Sequence, residues 1–216
     1  MKIAIYTSIV NGKDSLKDPL AQDVDRILFT DRPADHAGAA WDVRPACQIF
    51  VDPRRSSRAH KILGHQYLPG YDYSLWIDGS IRLLASARDL VDTYLHDADV
   101  ALFLHPERDC LYEEATICAD AGHDDASVLA EQVAKYRGAG HPEHAGLNEC
   151  AVILRRHNAP VAAFNEAWWS EYCQHSCRDQ VSVNYVLRTT GVRLATLPGS
   201  IRGDNPGIVR YEGHLK

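Results

Sequence analysis

The sequence predicts an α/β protein built on a mostly parallel central sheet. Short apolar or β-branched runs alternate along the chain with longer segments of helical period, the signature of strands interleaved with helices. Such alternation favours a parallel sheet flanked by helices. A chain of 216 residues that is 45% hydrophobic, with four tryptophans and ten tyrosines, can bury a substantial core, so a single domain spanning 1–216 is expected.

The elements follow in order. Strands are expected at 2–10 and 26–30, with a weaker one at 48–51. A helix is expected over 56–67, where Ala59, Ile62, Leu63 and Tyr67 take one face and Arg54, Arg58, Lys61 and His65, spaced by four, three and four, take another. The strand at 74–77 ends abruptly in Asp78-Gly79. A helix at 87–96 and a strand at 100–105 precede the helix at 110–121, for which Asp109 is a candidate N-cap and Glu113 and Glu114 are first-turn acids. After a helix at 126–136, the glycine- and proline-rich stretch 138–146 opposes regular structure, as a mobile lid or an ordinary connection. The chain continues with a strand at 151–155, helices at 159–175 and 178–189, and a strand at 193–197. Within the helical pattern at 159–175, Trp168 and Trp169 read as core rather than as stacking platforms.

Composition excludes several classes of function. Lysine and arginine number 23 against 29 acids, a formal net charge of −6, so the overall field opposes nucleic-acid binding and any phosphate site must be local. No stretch approaches the roughly 18 apolar residues of a membrane span, and the N-terminus lacks the apolar region and cleavage site of a signal peptide. A cytoplasmic protein is expected, or the soluble part of something tethered by another chain. The six cysteines contain no CxxC pair, and Cys173 and Cys177 around His175 match no common zinc spacing, so reduced thiols are expected.

In open α/β sheets ligands gather beyond the carboxyl ends of strands. That rule makes Asp78 the first candidate catalytic residue, against the plainer use of Asp-Gly as a self-capped turn. The basic helix upstream, one strand earlier, carries Arg55, Arg58 and Lys61, either a solvated face or donors for a diphosphate. His105, at the end of the strand 100–105, stands among carboxylates where it could bind a sugar hydroxyl or shuttle a proton. Glu149 precedes the strand 151–155 and Asp179 opens a helix. Both are candidate acceptor ligands or general bases, although an acid in a first helical turn is favourable without function.

The blocks Tyr6-Thr7-Ser8-Ile9-Val10-Asn11-Gly12, Phe29-Thr30-Asp31, Arg58-Ala59-His60-Lys61-Ile62-Leu63, Leu75-Trp76-Ile77-Asp78-Gly79-Ser80-Ile81 and Arg178-Asp179-Gln180 together resemble the glycosyltransferase-like domain long catalogued as a domain of unknown function and found in plant mucilage proteins and in bacteria. That domain is similar in turn to glycosyltransferase family 8. The resemblance implies a GT-A, Rossmann-like fold, a nucleotide-sugar donor, commonly UDP-linked, and Mn²⁺ or Mg²⁺. It implies nucleoside contacts from Thr7, Ser8 and Asp31, diphosphate or sugar contacts from Arg58 and Lys61, and a place near the donor sugar for Asp179 and Gln180. Asp78 takes the first position of the Asp-x-Asp metal motif, but Ser80 stands at the second, and a hydroxyl is a poorer ligand for a hard cation than a carboxylate. The segment 210–216 is similar to the family's C-terminal metal-binding motif with Arg210 in place of its histidine. These departures predict weak or absent metal binding, with Arg210, Lys216 and the basic helix neutralising the leaving diphosphate, and leave His214 as an alternative ligand.

The function expected is sugar transfer from a nucleotide donor to a glycan or other hydroxyl acceptor. The alternative is a non-catalytic glycan- or nucleotide-binding module on the same fold. A metal-dependent hydrolase is weaker, because no HxxxH or HxH pair occurs.

Overall fold

The structure is a computed structural model describing residues 1–20 and 22–214. The chain runs β1 (Ile3–Ile9), β2 (Asp25–Thr30), a short 3-10 turn at Pro33–His36, β3 (Asp42–Pro45), α1 (Pro53–Ile62), α2 (Gly64–Tyr67), β4 (Tyr73–Ile77) and β5 (Ile81–Leu83). It continues through α3 (Ala87–Tyr94), β6 (Val100–Leu104), α4 (Leu111–Asp120), α5 (Ala126–Gly138), β7 (Asn148–Arg156), α6 (Ala159–Gln174), α7 (Asp179–Thr190), β8 (Leu194–Leu197) and β9 (Val209–Tyr211). Seven strands form one sheet in the order β3-β2-β1-β4-β7-β6-β8, and β5 pairs with β9 in a separate ribbon. The pairs β3/β2, β2/β1, β1/β4 and β6/β8 are parallel, whereas β7 runs antiparallel to both β4 and β6.

Side-chain alternation divides the core between the two faces of this sheet. Ile3, Ile5, Leu75 and Ile77 pack with Leu90 and Val91 of α3, while Ala4, Tyr6 and Trp76 pack with Ile62, Phe164 and Trp168 of α1 and α6. Burial of each such large side chain stabilises the fold by roughly 1.5–3 kcal/mol. Trp168 is fully buried, and Trp169 is half-buried against Tyr172, with ring centroids 5.5 Å apart.

Several boundaries depart from the sequence reading for identifiable reasons. No strand forms at 48–51. There the Ser56 hydroxyl accepts from the amides of Ile49 and Phe50 at 3.1 and 2.8 Å and donates to the Phe50 carbonyl at 3.0 Å, so the segment wraps the start of α1. The edge strand is instead β3. Helix α1 begins early, at Pro53, because Asp52 accepts from the Arg54 amide at 2.8 Å and proline suits the first turn. It stops at Leu63, and the chain re-enters a short helix at Gly64, where a Cβ would lie 2.2 Å from the Tyr6 hydroxyl, so only glycine fits there. The break removes His65 from the predicted basic stripe: it bonds Asn165 at 3.0 Å. The cap of α4 is not Asp109, whose side chain lies 2.7 Å from His144 Nδ1. In the stretch 138–146 only His141 is buried, its carbonyl accepting from the Tyr112 hydroxyl at 2.6 Å; the rest is largely exposed, and none of it lines the crevice described below.

One buried cation ties the two halves of the sheet to α1. Arg155 of β7 is fully buried with no carboxylate partner among the described residues and donates to the Lys61 carbonyl at 2.6 Å and the Tyr6 hydroxyl at 3.1 Å. Replacing it leaves those acceptors short of a donor at a cost of roughly 2–3 kcal/mol. Arg155→Ala is therefore expected to lower the calorimetric Tm by roughly 5–10 °C, given about 2–4 °C per kcal/mol for a domain of this size. A Tm within 1–2 °C of wild type (about 0.5 kcal/mol) would show that Arg155 is dispensable.

Candidate active site

The crevice at the carboxyl end of the sheet is organised from the strand Tyr73–Ile77. Trp76 faces α1, and by the two-residue period Asp78, just past the strand, faces the same way. The Trp76 indole Nε1 donates to Asp78 Oδ1 at 2.6 Å, and Lys61 Nζ stands 3.2 Å from the same oxygen. Lys61 Nζ also stands 2.7 Å from Asp179 Oδ2, and Arg58 Nε is 3.4 Å from that oxygen. The Lys61 side chain is only 2% exposed. Burial by itself would raise the Asp179 carboxyl, but Lys61 and then Arg58 hold it well below the usual carboxylate range. Burial likewise opposes the charge of Arg58, and Asp179 followed by Asp78 pushes its guanidinium above its ordinary value.

Two further contacts aim Asp179. The Trp168 indole donates to the Asp179 carbonyl at 3.2 Å and to the Ser182 hydroxyl at 3.0 Å. Asp124 accepts from the Ser176 hydroxyl and the Cys177 amide, both at 2.7 Å, fixing the turn that leads into α7. The N-terminal end of that helix consequently points into the crevice, its dipole favouring the acid.

The antiparallel course of β7 brings its first residues to this same edge. The Asp78 amide donates to the Ala151 carbonyl at 2.8 Å, so Glu149 and Cys150 stand beside Asp78. Together these residues line a cavity of about 540 Å³ that also takes in Ser80, His105, Arg108, Glu114, Arg178, Gln180, Arg202 and His214. A smaller cleft lined by Ser8, Lys13, Asp14, Arg54, Arg58 and Asp78 adjoins it. Gly79 permits the close approach of Asp14, whose Cβ would lie 2.7 Å from a Cβ at that position.

The acids of the cavity differ sharply in environment. Glu114 is paired with Arg108 at 2.9 Å. Glu149 accepts from the Ile201 amide at 3.0 Å, and among the described residues it has no cation within ion-pair distance. Burial raises its carboxyl, against the opposing effects of that amide and Arg202. His105 Nδ1 accepts from the amides of Glu107 and Arg108 at 3.2 and 3.1 Å, and Arg108 Nη2 lies 2.8 Å from Nε2. Desolvation and the Arg108 charge lower its pKa, which keeps the ring neutral.

The structure thus gathers Asp78, Asp179, Glu149, His105, Arg58, Lys61, Ser80 and Gln180 into one cavity, with Ser8 in the adjoining cleft. Ser8 Oγ, Gln180 Nε2 and Arg178 Nε are buried without hydrogen-bond partners among the described residues, as expected where a polar ligand completes the set. Three of the other predicted residues lie elsewhere. Thr7 is buried in β1 and does not line the cavity or the cleft. Asp31 is exposed and accepts from the Asn11 amide at 2.9 Å, tying down the loop after β1. Arg210 is exposed on β9 opposite Arg82 and lines neither space. Lys216 lies outside the described residues. Arg108, Glu114 and Arg202 were missed, and only the density of charge in 105–114 pointed towards the first two.

The donor set does not suit a divalent ion. Asp78 Oδ1 already receives an indole N–H and an ammonium, Ser80 offers a hydroxyl, and His214 Nδ1 lies 2.7 Å from Asp14. Among the described residues no three His, Cys, Asp or Glu side chains stand together as ligands. Unit charges ~4 Å apart interact by about 4 kcal/mol at an effective dielectric near 20, and a divalent ion doubles that repulsion from each neighbouring cation.

Fold and crevice together define a GT-A-type glycosyltransferase-like domain. The chain belongs to the TOD1/MUCI70 glycosyltransferase-like domain family, whose model matches residues 39–196. It is 31% identical over 147 residues to the probable hexosyltransferase MUCI70 of Arabidopsis thaliana, covering 63% of this chain and 25% of that protein. It is 24% identical over 204 residues to the alkaline ceramidase TOD1 of the same plant, covering 88% of this chain and 44% of the relative. The chain thus spans less than half the length of either. In fold it is similar to mouse xyloside xylosyltransferase 1 (TM-score 0.53, 7% identity, 98% of this chain and 97% of that one). It is also similar to the bifunctional glycosyltransferase WbbM (TM-score 0.50, 11% identity, 91% and 39%).

Because the folded state depresses the pKa of Asp179, the stability gained from its ionised form is present above the ordinary value of 3.8 and lost as the pH falls below it. Asp179→Asn is expected to cost about 3 kcal/mol at neutral pH and to flatten the acid limb of a plot of urea midpoint against pH. An acid limb as steep as that of wild type would overturn this assignment.

Proposed function

We propose that this domain transfers a sugar from a nucleotide-sugar donor, UDP-linked, to a hydroxyl acceptor on a glycan. The observation that carries the reading is the cavity at the carboxyl end of the sheet, with four charged groups set into its wall and orphaned polar atoms at its edge, in a chain of a glycosyltransferase-like family. The donor occupies the larger cavity, with its diphosphate beside Arg58 at the mouth of the narrow cleft of Ser8 and Lys13 and its sugar under Gln180 and the start of α7. The acceptor enters from the side of His105, Arg202 and Glu149.

Glu149 is the base of choice among the acids of the cavity. Asp179 is locked between two cations and holds its charge too tightly to take a proton, whereas Glu149 has a raised pKa and, among the described residues, no cation within ion-pair distance. In the transfer, the acceptor oxygen bonds to the anomeric carbon as the carbon–oxygen bond to the phosphate breaks. The bonding pair leaves with the nucleoside diphosphate, and the acceptor proton passes to Glu149. Neutral His105 orients a sugar hydroxyl rather than donating a proton.

The test is release of nucleoside diphosphate from a panel of nucleotide sugars, with and without oligosaccharide acceptors. Acceptor-dependent release is expected with a UDP-sugar, and Glu149→Gln should lower kcat by roughly 10²–10⁴-fold with little change in donor KM. Since the base must be ionised, wild-type activity should fall as the pH drops through the pKa of Glu149, an acid limb displaced upward from the ordinary glutamate value by burial. Binding of UDP without turnover would instead favour a binding module, and release of fatty acid from a ceramide by the same preparation would overturn the transferase reading.

A further inference from the structure

We infer that Lys61 is a built-in cation holding the place that a divalent metal ion takes in metal-dependent nucleotide-sugar sites, so that donor binding here needs no metal. The inference rests on the transferase reading above and adds the identity of the positive charge within the site.

The geometry is specific. The Lys61 ammonium sits between the two carboxylates nearest the diphosphate side of the cavity, 3.2 Å from Asp78 and 2.7 Å from Asp179, on a side chain 2% exposed. A lysine serving only as a mobile surface phosphate ligand would be exposed, as the 67% exposed Arg54 side chain is. Lys61 instead has its backbone carbonyl held by Arg155 at 2.6 Å and its ammonium 5.8 Å from the centre of the Trp76 ring. With Arg58 it supplies two positive charges against the two negative charges of Asp78 and Asp179, so the cluster is neutral as built. A divalent ion bound to Asp78 would have to displace the ammonium from its contact or sit against it. Without Lys61, Arg58 would be the one cation left within ion-pair distance of these acids among the described residues, with Arg178 acting on Asp179 from farther off, and a cation would be drawn in to replace the lost charge.

Two measurements test this on the purified protein. The first is manganese paramagnetic resonance, which reads uptake of Mn²⁺ without any nucleotide. Wild type is expected to leave the Mn²⁺ signal free, and Lys61→Gln to take up about one ion per chain. Mn²⁺ uptake by wild type that is lost in Asp78→Asn would overturn the inference, and so would a folded Lys61→Gln that takes up none. The second is calorimetric titration with UDP. Wild type is expected to bind with the same Kd in EDTA and in Mn²⁺, within about twofold, while Lys61→Gln weakens binding about tenfold or more in EDTA and recovers part of it in Mn²⁺. Wild-type binding that requires Mn²⁺ would overturn the inference. If no UDP binds under any condition, the transferase reading fails, while the resonance measurement still decides the role of Lys61. Should Lys61→Gln fail to fold, as a melting curve would show, the two wild-type measurements decide it alone.

Discussion

The ammonium of Lys61 between the carboxylates of Asp78 and Asp179 is the contact on which the rest of the crevice depends. Three elements distant in sequence, α1, the end of β4 and the start of α7, meet there, and each contributes a charge that would be costly to bury alone. The neighbouring contacts serve this meeting. Arg155 secures the Lys61 backbone, Trp76 secures Asp78, and Trp168 and Asp124 secure the turn and helix that carry Asp179. Because those supports are themselves in the core or anchored to it, cluster and fold are one cooperative unit.

Strand direction supplies the other constraint. In a fully parallel sheet, every strand would bring its carboxyl end to the crevice and its amino end to the opposite edge. By running against its neighbours, β7 brings an amino end to the crevice, and with it Glu149. The acid of raised pKa and the ion-paired acids thus share one cavity while lying in different electrostatic surroundings. Separating acids by environment in this way is how a single site can hold one carboxylate charged and leave another free to accept a proton.

Much of the fold was legible because apolar period and strand-end punctuation are local signals. The strand ending in Asp78-Gly79 and the helix opening at Asp179 both follow from side chains a few residues apart. The departures arose from contacts between distant segments. Tyr6 leaves room only for glycine at position 64, and the β5–β9 ribbon joins two three-residue segments whose pairing no local pattern records, while nearer at hand Ser56 diverts 49–50 from strand pairing.

The sequence by itself determined the class of fold, the strand-end position of Asp78 and the nomination of Arg58, Lys61, Glu149 and Asp179 beside it, since these depend on local period and residue type. The tertiary structure decided how those charges are used. It buried Lys61 as a counter-ion, left Glu149 without a cationic partner among the described residues, and set Asp31 and Arg210 outside the cavity. The physical reason is that charge, burial and pKa depend on distances between groups tens of residues apart, and only packing sets those distances.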